Sequence, residues 1–220
     1  MKISPLLVAL IFGLLGARSE AIQITFTGSS ATSGLVNTRV FSSGGVTVTA
    51  SAESLINGVG LWQSSYLGIY SGGLGVTNSG EGSGGSGTHT TDNLGSFDRV
   101  VFSFSTAVIL DKVKLTAYGD TDLTTSYWTG TTWSALEHNL GGSSSRTADI
   151  NSGGVASYIW RVGAHYPTTQ MNDSFKIKAI TFELPPPQTT TTIPDAGSSL
   201  LLLAVGVGTL FYFRKVTASA

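Results

Sequence analysis

Residues 175–184 of the chain read FKIKAITFEL, a run in which apolar and polar side chains alternate. Successive side chains of a β-strand point to opposite faces, so a period of two predicts a strand with one buried face. The apolar phase slips by one residue at Ala179-Ile180, which predicts a β-bulge there. The run therefore indicates a strand that lines a core.

The same alternation recurs through the middle of the chain, in residues 22–26, 46–50 and 113–117. Valine, isoleucine, threonine and aromatic residues dominate this region, glycine and serine clusters interrupt it, and no segment keeps helical spacing. In residues 127–133, aromatic side chains flank a glycine-containing turn, which predicts a β-hairpin. We expect an all-β domain over residues 22–184, built as an antiparallel β-sandwich.

Composition excludes several classes of function. The 220-residue chain has 11% charged residues and a formal net charge of -1, which is not the dense positive charge of a nucleic-acid-binding protein. It has no cysteine, so disulfides, thiol nucleophiles and thiolate metal sites are excluded. The length suits one domain with appendages.

Residues 1–21 have the layout of a secretory signal peptide. Lys2 precedes an apolar segment at residues 6–15, and small or polar residues follow it. Cleavage by signal peptidase after residue 21 would make Ile22 the first residue of the mature chain, and a cut before Glu20 is the alternative. The sequence thus predicts export.

The other end of the chain predicts a linker and a membrane anchor. Residues 185–192 read PPPQTTTT, an extended linker between the domain and the C-terminal segment. Residues 196–213 are mostly apolar, and 18 residues span roughly 27 Å as a helix, just enough to cross a bilayer. The basic pair Arg214 and Lys215 follows and should stay in the cytoplasm.

A short motif stands immediately before this apolar run and consists of Ile193, Pro194, Asp195, Ala196, Gly197 and Ser198. Motif, apolar helix and basic end together resemble the PEP-CTERM sorting signal of bacterial surface proteins, in its Val-Pro-Asp-Ser-Gly-type variant. Isoleucine replaces the usual valine and alanine the usual serine. The resemblance implies recognition of residues 193–220 by an exosortase, which cuts near the motif and passes the protein to the cell surface. A plain single-pass anchor is the alternative.

The middle domain also resembles the extracellular, carbohydrate-binding-module-like β-sandwich that many PEP-CTERM proteins carry. The matching segments are residues 74–76, 88–93, 98–104, 113–115 and 120–122. The resemblance implies a jelly-roll-like fold without an established activity.

Four oxygen-bearing residues are candidate metal ligands. Asp120 and Asp122 lie two positions apart after a predicted strand, so both carboxylates point to one side. Together with Asp92 or Asn93 they form a set of hard oxygen ligands that suits calcium in an extracellular protein. The alternative is that these residues are solvated turn residues.

The hairpin supplies the candidate ligand-binding rings, Tyr127, Trp128 and Trp133, which can stack on sugars. We therefore expect a non-catalytic protein of the cell surface or extracellular matrix, with polysaccharide as its ligand. One alternative is a secreted hydrolase that uses two of the glutamates Glu53, Glu81, Glu137 and Glu183. Another is a structural or adhesive protein that binds a second protein.

Overall fold

The structure is a computed structural model that describes residues 20–28, 36–57, 60–78, 89–150 and 152–187. Apart from Pro187 these residues belong to one compact unit, Met1–Pro186, and the remainder of the chain forms a second unit, Pro187–Ala220. Residues 1–19 of the predicted signal peptide lie outside the described residues. So do the sorting motif, the apolar segment 196–213 and the basic pair.

The prediction of an all-β domain is confirmed: the described residues form twelve strands and no helix. The strands are β1 (Ile22–Thr25), β2 (Thr38–Ser43), β3 (Val46–Ile56), β4 (Gln63–Tyr70), β5 (Gly73–Thr77), β6 (Thr91–Asp92), β7 (Ser96–Ala117), β8 (Leu123–Trp128), β9 (Trp133–His138), β10 (Arg146–Asp149), β11 (Ser157–Ala164) and β12 (Ser174–Glu183). A search of the described ranges found no helix long and apolar enough to cross a membrane.

The strands pair in two sheets, and every pairing between named strands is antiparallel. Sheet A contains β1, β12, β5, β6, β10 and part of β4. Sheet B runs in the order β3, β7, β11, β8, β9, with β2 and the other part of β4 also on β3. Strand β7 has 22 residues and belongs to both sheets. Its first half pairs with β3 and β11, and its second half pairs with β12 and β10. The long strand therefore connects the two sheets, as β4 also does.

One apolar core is shared by both sheets. Phe26, which follows β1, stacks on Phe102 of β7 with ring centroids 5.8 Å apart. Phe104 of β7 meets Phe182 of β12 edge-on at 5.2 Å. Trp160 of β11 is fully buried, and its indole N–H donates to the carbonyl of Val108 at 3.1 Å, so its polar atom is satisfied within the core.

Two local predictions are also confirmed. The pairing of β12 with β7 shifts register between Ile177 and Ala179, beside the predicted bulge, and shifts again further along the strand. Strands β8 and β9 form the predicted hairpin, in which Trp128 pairs with Trp133. Gly130 in the connecting turn has a φ of 98°, a conformation that favours glycine.

Candidate functional site

Two clusters of charged side chains lie in the described part of the chain. We call the first the acidic cluster, which consists of Asp120, Asp122 and Asp173. The three carboxylates each offer an oxygen within 4.8 Å of the others, and Asp122 and Asp173 are only 3% and 2% exposed. The cluster brings together both aspartates of the predicted pair and one that the sequence did not reveal.

The backbone places Asp120 directly beside Asp173. Asp120 forms an isolated parallel bridge with Asp173, and the N–H of Ser174 donates to the carbonyl of Asp120 at 2.9 Å. Gly119 allows this approach, because a Cβ atom at that position would lie 2.7 Å from the carbonyl oxygen of Asn172. A glycine just after β7 is therefore what lets the two acidic segments meet.

Asp122 holds the loop that follows strand β9. One carboxylate oxygen of Asp122 accepts the backbone N–H groups of Leu140 at 2.6 Å and Gly141 at 2.7 Å. Gly141 and Gly142 have φ angles of 58° and 82°, a backbone conformation that side chains rarely allow. This aspartate therefore has a structural role besides its position in the cluster.

The other two predicted ligands have different places. Asn93 adjoins the cluster, since its amide donates to the carboxylate of Asp173 at 2.6 Å and its amide oxygen accepts the Asp173 N–H at 3.0 Å. Asp92 is not among the three grouped carboxylates. Its oxygens accept the Thr90 hydroxyl at 2.8 Å and the Leu94 N–H at 3.1 Å, which is the hydrogen bonding of a turn aspartate.

The electrostatics of the acidic cluster are unfavourable for full ionisation. Burial raises the pKa of Asp173 to about 6, and the neighbouring charges of Asp122 and Asp120 act in the same direction. His165 opposes them and lowers this pKa. Close like charges in a buried place favour either protonation or a bound cation.

The second cluster lies on the outward face of sheet B. Register places one row of residues across five strands, from β3 to β9: Glu53, Arg99, Gly163, Thr124 and Glu137. The next row on the same face contains Val101, Arg161, Ser126 and Ala135. Because side chains alternate along a strand, both rows point away from the core.

We call Arg99 and Arg161 the arginine pair, and Glu53 is their shared counterion. One carboxylate oxygen of Glu53 accepts the Nε of Arg99 at 2.7 Å and lies 2.5 Å from its Nη2. The same oxygen is 3.8 Å from Arg161, too far for a hydrogen bond. Two positive charges therefore share one negative charge, and only Arg99 is hydrogen-bonded to it.

Each guanidinium of the arginine pair also lies against a tryptophan. The Arg99 carbon Cζ is 3.5 Å from the ring centroid of Trp62, and that of Arg161 is 3.3 Å from the centroid of Trp133. Trp133 stays 36% exposed and contacts Trp128 across the hairpin at 5.4 Å. Cation–π contacts of this kind hold the arginine side chains in place without neutralising their charge.

A small pocket of about 40 Å³ opens between these groups. It is lined by Trp62, Arg99, Thr124, Ser126, Arg161, Gly163, Ala164 and Tyr166. A Cβ atom at Gly163 would lie 2.7 Å from the Cβ of Arg99, so glycine is needed beside that side chain. The volume exceeds the minimum for a single water molecule, roughly 15 Å³, but is far too small for a sugar ring.

The hairpin residues predicted to bind ligand are divided between the two faces of sheet B. Trp128 pairs with Trp133 next to the turn of the hairpin, and by the alternation of side chains both lie on the outward face. Tyr127 instead packs against buried Trp160, with ring centroids 5.1 Å apart, and is part of the margin of the core. Of the three predicted rings, Trp128 and Trp133 are therefore the ones on the outward face.

Two glutamates considered for hydrolysis also lie on this face. Glu53 and Glu137 occupy the same row at opposite ends, four strand spacings or about 19 Å apart along the sheet. Paired carboxyl groups in glycoside hydrolases are typically about 5 to 9.5 Å apart. Glu53 is moreover held by Arg99, and Glu137 lies 3.6 Å from His165.

Comparison of the chain with protein-family models, with curated proteins and with solved structures found no match.

Sequence reasoning missed Asp173 and the arginine pair. Asp173 stands just before β12 in the polar segment Asn172-Asp173-Ser174, which gives a weak turn signal and no sign of its partners. Arg99 and Arg161 each occupy a polar position of an alternating strand, where a charged residue is ordinary. Only the pairing of β7 with β11 brings the two arginines together.

Proposed function

We propose that this chain is an exported, exosortase-processed protein of the cell surface or extracellular matrix, and that its β-domain is a non-catalytic, polysaccharide-binding sandwich of the carbohydrate-binding-module type. The observation that carries the binding role is the outward face of sheet B, where Trp62, Trp128 and Trp133 lie beside polar side chains. Flat rings next to hydrogen-bonding groups are what sugar recognition requires.

The non-catalytic part of the proposal has separate support. Glu53 and Glu137 are too far apart along sheet B for a hydrolytic pair, and Glu53 is engaged by Arg99. A binding face needs no such pair, because stacking and hydrogen bonds to hydroxyl groups suffice.

Binding is tested with full-length protein in detergent, incubated with insoluble cellulose, chitin and cross-linked pectin. We expect retention on at least one polysaccharide, at least tenfold weaker retention of Trp128→Ala, and no release of reducing ends. Tyr66→Ala is the control, since Tyr66 is an exposed ring on the part of β4 that pairs in sheet A. Retention on none of the polysaccharides would refute the binding role, and sugar release abolished by Glu137→Gln would favour the hydrolase.

Export and sorting are tested by the intact mass of the protein recovered from its native cell surface. We expect a form that begins at Ile22 and ends near Pro194. The double variant Pro194→Ala, Asp195→Ala should remain unprocessed in the membrane. A wild-type surface form that still carries residues 200–220 would refute exosortase processing and favour the plain anchor.

We further propose that the acidic cluster binds calcium as a structural ion. Support comes from three carboxylates within 4.8 Å of one another, two of them buried, next to the amide of Asn93. Hard oxygen ligands of this kind suit calcium, and neutralisation would relieve their mutual repulsion. The ion would fix the segments before β8 and β12 to each other.

The calcium proposal is tested by thermal unfolding of chelated protein with and without 5 mM calcium chloride. At a concentration 100 times the dissociation constant, binding to the folded state adds about 2.7 kcal/mol of stability. That gain should raise the melting temperature by several degrees, and Asp173→Asn should abolish the rise. An equal rise in Asp173→Asn, or no rise in the wild type, would contradict the proposal.

A further inference from the structure

The arginine pair leaves a positive charge without a hydrogen-bonded counterion. Glu53 neutralises one of the two guanidinium groups, and its hydrogen bonds go to Arg99. Arg161 is largely shielded from solvent, with 18% of its side chain exposed. Shielding the Arg161 charge from water beside that of Arg99 is unfavourable unless a second anion, in addition to Glu53, binds there.

The hydrogen bonding of Arg161 is also incomplete. Its Nε is buried and has no hydrogen-bond partner among the described residues. Buried N–H groups are nearly always paired, so the hydrogen-bonding capacity of the Arg161 guanidinium is not fully used within the protein. Burial, and then the charge of Arg99, lower the pKa of Arg161 to about 10, and the charge of Glu53 only partly opposes them.

The pocket beside Arg161 defines what kind of group fits. Its volume of about 40 Å³ admits a group of a few heavy atoms. A guanidinium presents parallel N–H donors that match the two oxygens of a carboxylate. Ser126, directly across from Arg161 on β8, adds a hydroxyl to the lining.

The surroundings of the pocket add an aromatic element. Trp133 lies against Arg161 and contacts Trp128, so indole rings adjoin the place where the anionic group would bind. A uronic acid residue combines a ring that stacks on indole with a carboxylate attached to that ring. Neutral sugars offer the ring without the charge, and free carboxylates offer the charge without the ring.

We infer that the outward face of sheet B recognises acidic polysaccharides, with a uronate carboxylate held in the pocket by Arg161 and the sugar ring stacked on the hairpin tryptophans. This inference rests on the proposed polysaccharide-binding role and names the class of polysaccharide. Arg99, which contacts Glu53 and Trp62, also lines the pocket.

The experiment is calorimetric titration of the full-length protein in detergent with oligogalacturonate and with its methyl ester, in the presence of chelator. The two probes share one backbone, and the ester replaces each charged carboxylate with a neutral group that is larger by one methyl. We expect the acid to bind at least tenfold more tightly than the ester, because a charge-assisted hydrogen bond to Arg161 is lost in the ester. Equal affinity for the two probes would overturn the inference.

Variants locate the effect. Arg161→Gln should lose the preference for the acid, whereas Lys114→Gln, which removes one exposed positive charge from the sheet A half of β7, should keep it. Ser126→Glu supplies an internal carboxylate opposite Arg161 and should also lose the preference, without removing either arginine. This second variant tests the site even if Arg161→Gln does not fold.

The outcomes separate this inference from the proposed function. Retention on neutral polysaccharides together with equal affinity for acid and ester would overturn the uronate site and leave the binding role intact. Failure to bind any polysaccharide would overturn both. An acid preference that survives in folded Arg161→Gln or folded Ser126→Glu would place recognition elsewhere and overturn the site.

Discussion

The acidic cluster and the arginine pair both gather like charges in a chain with only 11% charged residues, but they stabilise those charges differently. In the acidic cluster the carboxylates accept hydrogen bonds from neighbouring loops, namely the Leu140 and Gly141 N–H groups and the amide of Asn93. In the arginine pair the guanidinium groups lie on aromatic faces at the surface of a sheet.

This difference indicates different roles for the two charged clusters. Hydrogen bonds from the acidic cluster join separate segments of the chain and make it part of the structural framework. Substitutions in this cluster should therefore mainly change stability. The arginine pair lies on β7 and β11, which are joined by their own backbone hydrogen bonds. Substitutions of these arginines should therefore mainly change ligand binding. Stability measurements on single variants can therefore test the comparison directly.

The largest effect is expected for Asp122→Ala in chelated protein at neutral pH. The change leaves two partly buried N–H groups without their acceptor, and hydrogen bonds to a charged group contribute roughly 1.5 to 3 kcal/mol each. Relief of repulsion with Asp120 and Asp173 offsets part of that, so we expect a loss of about 3 kcal/mol in the free energy of unfolding. Denaturant unfolding measures it.

Asp149→Ala is the matched control, because the Asp149 side chain is 80% exposed and its salt bridge is to exposed Lys112. Its loss should change stability by less than about 0.5 kcal/mol. If the two variants were equally stable, the acidic cluster would not be part of the framework.

A smaller loss of stability, together with a gain in affinity for the ligand, is expected for Glu53→Gln. The substitution removes the charge that holds Arg99, and since this carboxylate is partly exposed we expect a loss of about 2 kcal/mol. It also leaves both arginines without a counterion, so affinity for oligogalacturonate should rise about threefold. Unfolding and calorimetric titration measure the two quantities.

Glu183→Gln removes the same charge from sheet A and should leave the affinity for oligogalacturonate unchanged. A tighter complex with both variants would indicate a general effect of net charge. Weaker binding by folded Glu53→Gln would mean that the arginine pair does not receive the carboxylate.

The strands could be predicted because their signal is local. Alternation in residues 175–184 marks both the buried face of β12 and the shift in its phase, without knowledge of any partner strand. The β8–β9 hairpin is similarly local, since its two strands are joined by one short turn.

The charged clusters could be predicted only in part, because each depends on contacts between distant segments. Asp120 and Asp122 stand out through their spacing, whereas Asp173 joins them only through the bridge beside β12. Asp92 has the same chemistry but turns its oxygens to Thr90 and Leu94. Residue type suggested oxygen ligands, and register decided which of them meet.

The smallest expected change in stability is that of Asp173→Asn, and it is opposite in sign to that of Asp122→Ala. Asp173→Asn should stabilise chelated protein at pH 7, unlike Asp122→Ala, because it removes a charge that burial and the neighbouring carboxylates make unfavourable. A pKa raised by about two units corresponds to about 3 kcal/mol, but the weaker hydrogen bond from Asn93 to a neutral amide offsets much of this. We expect a net gain of about 1 kcal/mol.

The gain should also depend on pH with a definite sign. The pKa of Asp173 is raised from 3.8 to about 6 in the folded protein, so the folded state binds a proton within this window that the unfolded chain releases. Relative to Asp173→Asn, the wild type should therefore become more stable as pH falls from 7 to 4, and the advantage of the variant at pH 7 should be lost within this range. Burial lowers the pKa of His138 in both proteins, and this contribution cancels in the comparison. A difference that widened on acidification would show that the pKa of Asp173 is not raised in the folded protein, and the distinction between the two aspartates would fail.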